Sequence, residues 1–256
     1  MTLGKLIGVS LGPGDPGLMT RKAWDALSRP AHWTYPVAKS DAGSYALDIV
    51  VRAGITPPLD AVPLLFPMTH HPEVLAKSWA RASSTVLERL RSGQDVIFLV
   101  EGDASTYSTF GHLARTVREL DPQVEVEVIP GVSSYCAAAA RVGTPLAEAD
   151  DTLAVIPAGY GVAVIDHMLD EFDSLVLLKV KPLLDEVIAL LERRGLIGHA
   201  CFIEKVGTPD ERVVRDVARL KGETVAYLSL LLVHNPNRPR GEIRRGCRKK
   251  KTAAAN

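Results

Sequence analysis

Cysteine is scarce: three residues, Cys136, Cys201 and Cys247, lie far apart in 256 and never form C-x-x-C. That argues against a disulfide framework and against a zinc site, and it suits a reducing, cytoplasmic setting. Long hydrophobic runs are missing too. No uninterrupted apolar stretch approaches the ~20 residues of a membrane span. The start of the chain is apolar only as far as Leu11 before "GPGDP" interrupts it, too short for a secretory core segment. Net charge is also absent, with 30 Lys+Arg against 30 Asp+Glu. That average hides an asymmetry. Residues 237–251 hold eight basic residues and one acid, which leaves the rest at 22 basic against 29 acidic. A body with net charge −7 offers no global sign of the basic face that a nucleic-acid binder usually shows. The tail "GCRKKKTAAAN" reads as a solvated, disordered end.

What is present is an ordinary globular balance, 46% hydrophobic and 23% charged, in a chain long enough for two domains. Short β-branched runs alternate with helical ones, the pattern of an α/β protein. "KLIGVSLG" (5–12) predicts a strand and Thr20 caps a helix to Ser28. "HWTYPVA" is a weaker strand, and a helix runs from a Ser44 cap to Gly54. "DAVPLLF" carries a proline, which places it at a sheet edge. A long helix spans Pro72 to Gly93. "DVIFLV" (95–100) is apolar throughout, as for a strand covered on both faces. After a further helix the pattern restarts with "VEVEVIP" and "SSYCAAAARV". The chain closes on three strand-like runs, "HACFIEKV", "ERVVRDVARL" and "TVAYLSLLLVHN", which predict antiparallel pairing. The expected domains are residues 1–121, residues 122–236 and the tail 237–256.

Three loops leave predicted strand ends, where open α/β sheets bind ligands. "LGPGDPGLMT" (11–20) contains Gly12, Gly14 and Gly17 in the G-x-G-x-x-G spacing of dinucleotide sites. A pyrophosphate wants backbone N–H groups, and Pro13 and Pro16 have none. Asp15 would set a carboxylate beside the phosphates. Asp41 stands near the spacing of a ribose-binding acid, on a poor strand. A tight strand-to-helix turn without a ligand fits the same residues. "EGDASTY" (101–107) offers Glu101 and Asp103 for hydroxyl or ammonium recognition, or simply as acids at a helix start. In "PGVSS" (130–134), Ser133 or Ser134 suits helix capping. His70 and His71 are adjacent, cannot share a helix face and lack a third ligand, so no metal is expected.

Taken together, G-P-G-D-P, E-G-D-x-x-x-Y and P-G-V-S-S resemble the tetrapyrrole (corrin/porphyrin) methylase family. "KSDAGSYALDIV" (39–50), "FPMTHHPEVL" (66–75), "EGDASTYSTFGHL" (101–113) and "YLSLLLVHN" (227–235) are similar to its precorrin-2 C(20)-methyltransferase branch. The resemblance covers about residues 5–235. It implies two α/β domains with a cleft between them, a homodimer, S-adenosyl-L-methionine as cofactor and precorrin-2 as substrate.

By matched motif, Pro13, Glu101, Gly102, Asp103, Thr106, Tyr107, Ser133 and Ser134 are the implied cofactor contacts. Leu184 (with Leu183), Val206 and Gly207 are weaker candidates for an adenine wall, and core packing fits them equally. The resemblance makes Asp15 the candidate catalytic base, with capping as its other reading. Arg21, Lys39 and Lys181 are candidates for the substrate's carboxylates, although each also fits a solvated surface charge. Ala104-Ser105 departs from relatives that place a proline first, which predicts a looser turn at Thr106. The rivals are the same chemistry on cobalt-factor II, a non-catalytic tetrapyrrole or S-adenosylmethionine binder, and a dinucleotide oxidoreductase.

Overall fold

The computed structural model describes residues 2–39, 43–69 and 71–241. Asp41, His70, Cys247 and most of the basic tail therefore lie outside the described residues. Two compact units divide the chain. The first runs to Val142 and takes back Lys205–Arg212; the second holds Gly143–Glu204 and the chain from Val213 onward.

The first unit contains strands β1 (Leu6–Ser10), β2 (His32–Val37), β3 (Val62–Leu65), β4 (Val96–Val100) and β5 (Val126–Ile129). They form an all-parallel sheet in the order β3-β2-β4-β1-β5. Its helices are α1 (Arg21–Leu27), α2 (Tyr45–Arg52), α3 (Pro72–Arg91), α4 (Thr109–Leu120) and α5 (Ser134–Val142). Strand alternation splits the core in two. Val96, Phe98 and Val100 pack with Val86, Leu90 and Leu113 of α3 and α4. Ile97 and Leu99 pack with Ala23, Ala26, Ile49 and Val50 of α1 and α2. Covering both faces explains the unbroken apolar run of β4. Thr20 and Ser44 cap α1 and α2 as expected, accepting from the Ala23 and Leu47 amides. Pro63 sits on edge strand β3, where a missing N–H costs no inner ladder bond.

The expected boundary at residue 121 is displaced. β5 and α5 stay with the first unit because β5 pairs in parallel with β1, from Leu6 opposite Val126 to Val9 opposite Ile129.

The second unit contains β6 (Leu153–Pro157), β7 (Ser174–Leu178), β8 (Ala200–Glu204), β9 (Arg212–Val214) and β10 (Ser229–His234), with helices α6 (Val162–Glu171) and α7 (Leu184–Arg193). The strand order is β6-β7-β10-β8-β9. β6 and β7 are parallel, whereas β10 runs antiparallel to both β7 and β8, the expected late switch of direction. "ERVVRDVARL" is not one strand. β9 covers three residues, and Val217–Leu220 forms a 3₁₀ turn. Val217 and Leu220, three apart, are both fully buried, a spacing a turn satisfies and a pleated strand does not.

The chain from residue 237 to 241 is also not a loose tail. Asp173 is fully buried and accepts from the Thr152 amide and hydroxyl at 2.8 Å, from Arg238 at 2.9 Å and from Arg240 at 2.9 Å. Arg240 also pairs with Asp151. Two of the tail's cations thus neutralise a buried acid. No helix among the described residues is long and apolar enough to cross a membrane.

Candidate active site

β4, β1 and β5 are neighbours, so the three loops singled out in the sequence leave adjacent strand ends within one unit. Hydrogen bonds lace them together. Gly12 and Gly102 exchange both backbone bonds, the Gly12 amide to the Gly102 carbonyl at 3.2 Å and the reverse at 2.7 Å. Ser10, fully buried at the end of β1, accepts from the Ala104 amide at 2.9 Å. The Thr20 hydroxyl donates to the Pro130 carbonyl at 3.3 Å.

Asp103 is the centre of this lacing and is 8% exposed. Its Oδ2 accepts from the Gly131 amide of the third loop at 2.8 Å. Its Oδ1 accepts from the Ser105 amide at 3.0 Å, from the Ser105 hydroxyl and from the Thr106 hydroxyl at 3.3 Å. Burial pushes this carboxyl upward, but the bonds from Ser105, Gly131 and Thr106 win and hold it below the ordinary range. Gly131 allows the close approach: a Cβ there would stand 2.5 Å from the Ser10 Cβ and 2.7 Å from the Gly102 carbonyl. The loose turn expected at Ala104-Ser105 is not found. A proline at 104 has no N–H, whereas here the Ala104 amide ties the loop to β1.

The first loop differs from a dinucleotide cradle in how its amides are used. Gly12 commits its amide to Gly102, and Gly17 commits its own to the Asp15 carboxylate at 2.8 Å. Pro13 is buried and Asp15 exposed, capping the 3₁₀ turn Pro16–Leu18. Its capping reading is therefore the one the geometry displays. Arg52 of α2 donates to the Gly14 carbonyl at 2.6 Å and pairs with Asp48 at 2.7 Å, which anchors the loop from one side.

Residues 205–212 press on the other side. A Cβ on Gly14 would lie 2.4 Å from the Val206 carbonyl, and one on Gly207 would lie 2.6 Å from the Asp15 amide. Gly207, at φ +74°, donates its amide at 2.8 Å to Glu211, which also pairs with Arg141 of α5. Val206 and Gly207 are thus brought to the first loop, beside a hollow of about 280 Å³ bordered also by Asp15, Leu18 and Ala137.

Glu101 is half-buried, has no hydrogen-bond partner among the described residues, and is pushed up to about 7 by burial. The half-buried Ser133 and Ser134 likewise make no side-chain hydrogen bond to described residues, so the capping expected of them is not seen. Tyr107 takes a left-handed φ of 52° and is exposed. Among the cationic candidates, Arg21 pairs with Asp25 at 2.8 Å, while Lys39 is exposed at the end of β2. Leu184 and Lys181 belong to the second unit, where Leu184 is 4% exposed in the core with Leu177 and Val187 and Lys181 is exposed. Leu183 is a partly buried hydrophobic packed against the same core.

Ser10, Arg52 and Glu211 shape the site and escaped the sequence reading. The one legible signal was Ser10, a polar residue inside a buried apolar strand. Arg52 and Glu211 reach their partners through the fold, and nothing in their local pattern marks them.

A parallel sheet whose β4, β1 and β5 loops are laced together, with the Gly12 and Gly17 amides already engaged, differs from a phosphate cradle, which needs free backbone N–H groups. The chain matches the Tetrapyrrole (Corrin/Porphyrin) Methylases over residues 5–221 and belongs to that family. It is 33% identical over 238 residues to a probable cobalt-precorrin-2 C(20)-methyltransferase of Methanocaldococcus jannaschii, covering 90% of this chain and 95% of the relative. A precorrin-2 C(20)-methyltransferase of a Sinorhizobium species is 29% identical over 239 residues, covering 90% and 95%. In fold, the chain resembles a Thermus thermophilus uroporphyrin-III C-methyl transferase crystallised with S-adenyl homocysteine. The TM-score is 0.64 at 24% identity, covering 90% of this chain and 92% of that one.

Proposed function

We infer that this chain is an S-adenosylmethionine-dependent methyltransferase acting on carbon 20 of precorrin-2 in cobalamin biosynthesis. The observation that carries the reading is the family match across both units, joined to relatives over nine-tenths of the chain that are named for C(20) methylation of precorrin-2 or of cobalt-precorrin-2. S-adenosylmethionine supplies an electrophilic methyl group on a sulfonium, together with a ribose diol, an ammonium and a carboxylate to be recognised.

The donor set fits such a group. The Ser133 and Ser134 hydroxyls, without a side-chain hydrogen bond among the described residues, can donate to or accept from a polar ligand, and Oδ2 of Asp103 keeps an acceptor position beyond its bond to Gly131. We assign cofactor contact to Pro13, Gly102, Asp103, Thr106 and Tyr107, with the two serines. Val206 and Gly207 flank them through their packing on the first loop. Arg21, Lys39 and Lys181 are assigned to the carboxylates of the macrocycle. These side chains align donor and acceptor and exclude water, since the acceptor carbon is already electron-rich.

Incubation with precorrin-2 and methyl-labelled donor should give labelled precorrin-3A and S-adenosylhomocysteine; no label in the macrocycle overturns the reading. The Methanocaldococcus relative is named for cobalt-precorrin-2, so a second reading places that cobalt-loaded form in the same site. Rates on metal-free and cobalt-loaded substrate separate the two. A homodimer in the cytoplasm completes the proposal, and sedimentation of the purified protein tests its dimeric part.

A further inference from the structure

Three carboxyl groups stand at the strand ends of the first sheet, in three different situations. Asp15 is exposed and occupied by the Gly17 amide at 2.8 Å. Asp103 is saturated on Oδ1 by Ser105 and Thr106 and joined through Oδ2 to Gly131. Glu101 alone of the three has no hydrogen-bond partner among the described residues, although it is half-buried.

Its position is fixed by its neighbours. It directly follows β4, which is buried from end to end in the middle of the sheet. It directly precedes Gly102, which is held by two backbone bonds to Gly12. The backbone is therefore anchored on both sides, while no described residue donates to the carboxyl group. Withdrawing a carboxyl from water without a partner costs free energy, and such groups concentrate where a proton must move.

The charged and titratable groups on the surrounding elements are otherwise engaged or remote in effect. Asp48 and Arg52 of α2 pair with each other, Asp15 and Asp103 are bonded as described, and Tyr35 lies on β2 and Lys39 after it. None of them contributes to the upward push on Glu101, whose one cause is burial.

On the reading that carbon 20 is the acceptor, the bond changes leave one step without an agent. The new bond to the methyl carbon forms from an electron pair of the conjugated macrocycle, and the sulfur–methyl pair returns to sulfur. The hydrogen on carbon 20 must then leave as a proton, giving its bonding pair back to the conjugated system. We propose that Glu101 accepts that proton, passing from carboxylate to carboxylic acid and later releasing it to water. A base is most effective when its pKa lies close to working pH, and a value of about 7 meets that condition.

Two measurements test this. In protein labelled with carboxyl-¹³C glutamate, one resonance should titrate with its midpoint near 7 and be absent in Glu101→Gln. In kinetics, kcat/KM of the wild type should rise with pH through the same region. Glu101→Gln should lose this limb and about 100-fold or more in rate. Glu101→Asp should recover part of the loss, and Asp15→Asn should retain the limb. A Glu101→Gln enzyme with wild-type rate and an intact limb overturns the proposal. So does a glutamate resonance that titrates in the ordinary range, or loss of the limb in Asp15→Asn instead. A wild type that methylates neither precorrin-2 nor its cobalt form overturns the functional reading and takes this proposal with it. An active wild type matched by Glu101→Gln overturns this proposal alone.

Discussion

The Asp103 carboxylate accepts the Gly131 amide at 2.8 Å, joining loops that are 28 residues apart in the chain. The bond ties the end of β4 to the start of α5 across the intervening β1. Asp103→Asn keeps the shape but turns one acceptor oxygen into a donor that must face an N–H or a hydroxyl. Hydrogen bonds to a charged group contribute about 1.5–3 kcal/mol each, so a stability loss of about 2 kcal/mol is expected. Binding of S-adenosylhomocysteine should weaken by about tenfold or more. Denaturant unfolding and calorimetry read the two effects.

Gly207→Ala tests the contact between residues 205–212 and the first loop. A Cβ there meets the Asp15 amide at 2.6 Å, in a left-handed backbone at φ +74°. The added methyl must displace the loop, costing about 1–3 kcal/mol. Glu211→Ala should give a milder version, since it frees the Gly207 amide without a clash. Both should raise KM for the methyl donor more than they lower kcat, measured under saturating tetrapyrrole.

Ala104→Pro removes the amide that serves the buried Ser10 hydroxyl. The orphaned hydroxyl should cost about 1–3 kcal/mol. Ser10→Ala orphans the amide instead. The double variant orphans neither, so its loss should be smaller than the sum of the two single losses. Additive losses would mean that the bond contributes nothing to stability.

Acid should expose the role of Asp173. Its carboxyl is held down to about 2 from an ordinary 3.8, against burial, by Thr152 and then by Arg238 and Arg240. A depressed folded value means the contribution is complete above the unfolded value and is lost as pH falls from about 4 toward 2. At neutral pH it amounts to about 2 kcal/mol. Asp173→Asn should thus be less stable than wild type at pH 7, with the gap closing as pH falls through that window.

Two truncations isolate the contribution of Arg238 and Arg240. Ending the chain after Gly241 keeps both on Asp173 and should leave the melting temperature unchanged. Ending it after Asn237 removes both cations and leaves a buried acid unpaired, which should lower stability by about 3 kcal/mol or more. Thermal unfolding of the two proteins decides it.

Much of the architecture was legible in the chain. The Thr20 and Ser44 caps, the proline that consigned β3 to an edge and the unbroken apolar run of β4 are local or periodic features. Each depends on a residue's own backbone chemistry or on which face it presents. "ERVVRDVARL" failed for the same reason in reverse, because three-residue and two-residue spacing cannot be told apart over so short a run. The first loop was half legible. Pro13 and Pro16 announce two missing amides, since proline lacks an N–H wherever it stands.

Which of the remaining amides and carboxyls would be free was settled only in three dimensions. Gly12 gives its amide to Gly102, Asp103 commits its oxygens to Ser105, Thr106 and Gly131, and Asp15 accepts from Gly17. Glu101, which reads in sequence like a companion of Asp103, is left unpaired among the described residues. Residue types alone determined what each group can donate or accept. Parallel pairing of β4, β1 and β5 decided which groups meet, because a hydrogen bond requires contact and contact between distant segments is created by the sheet.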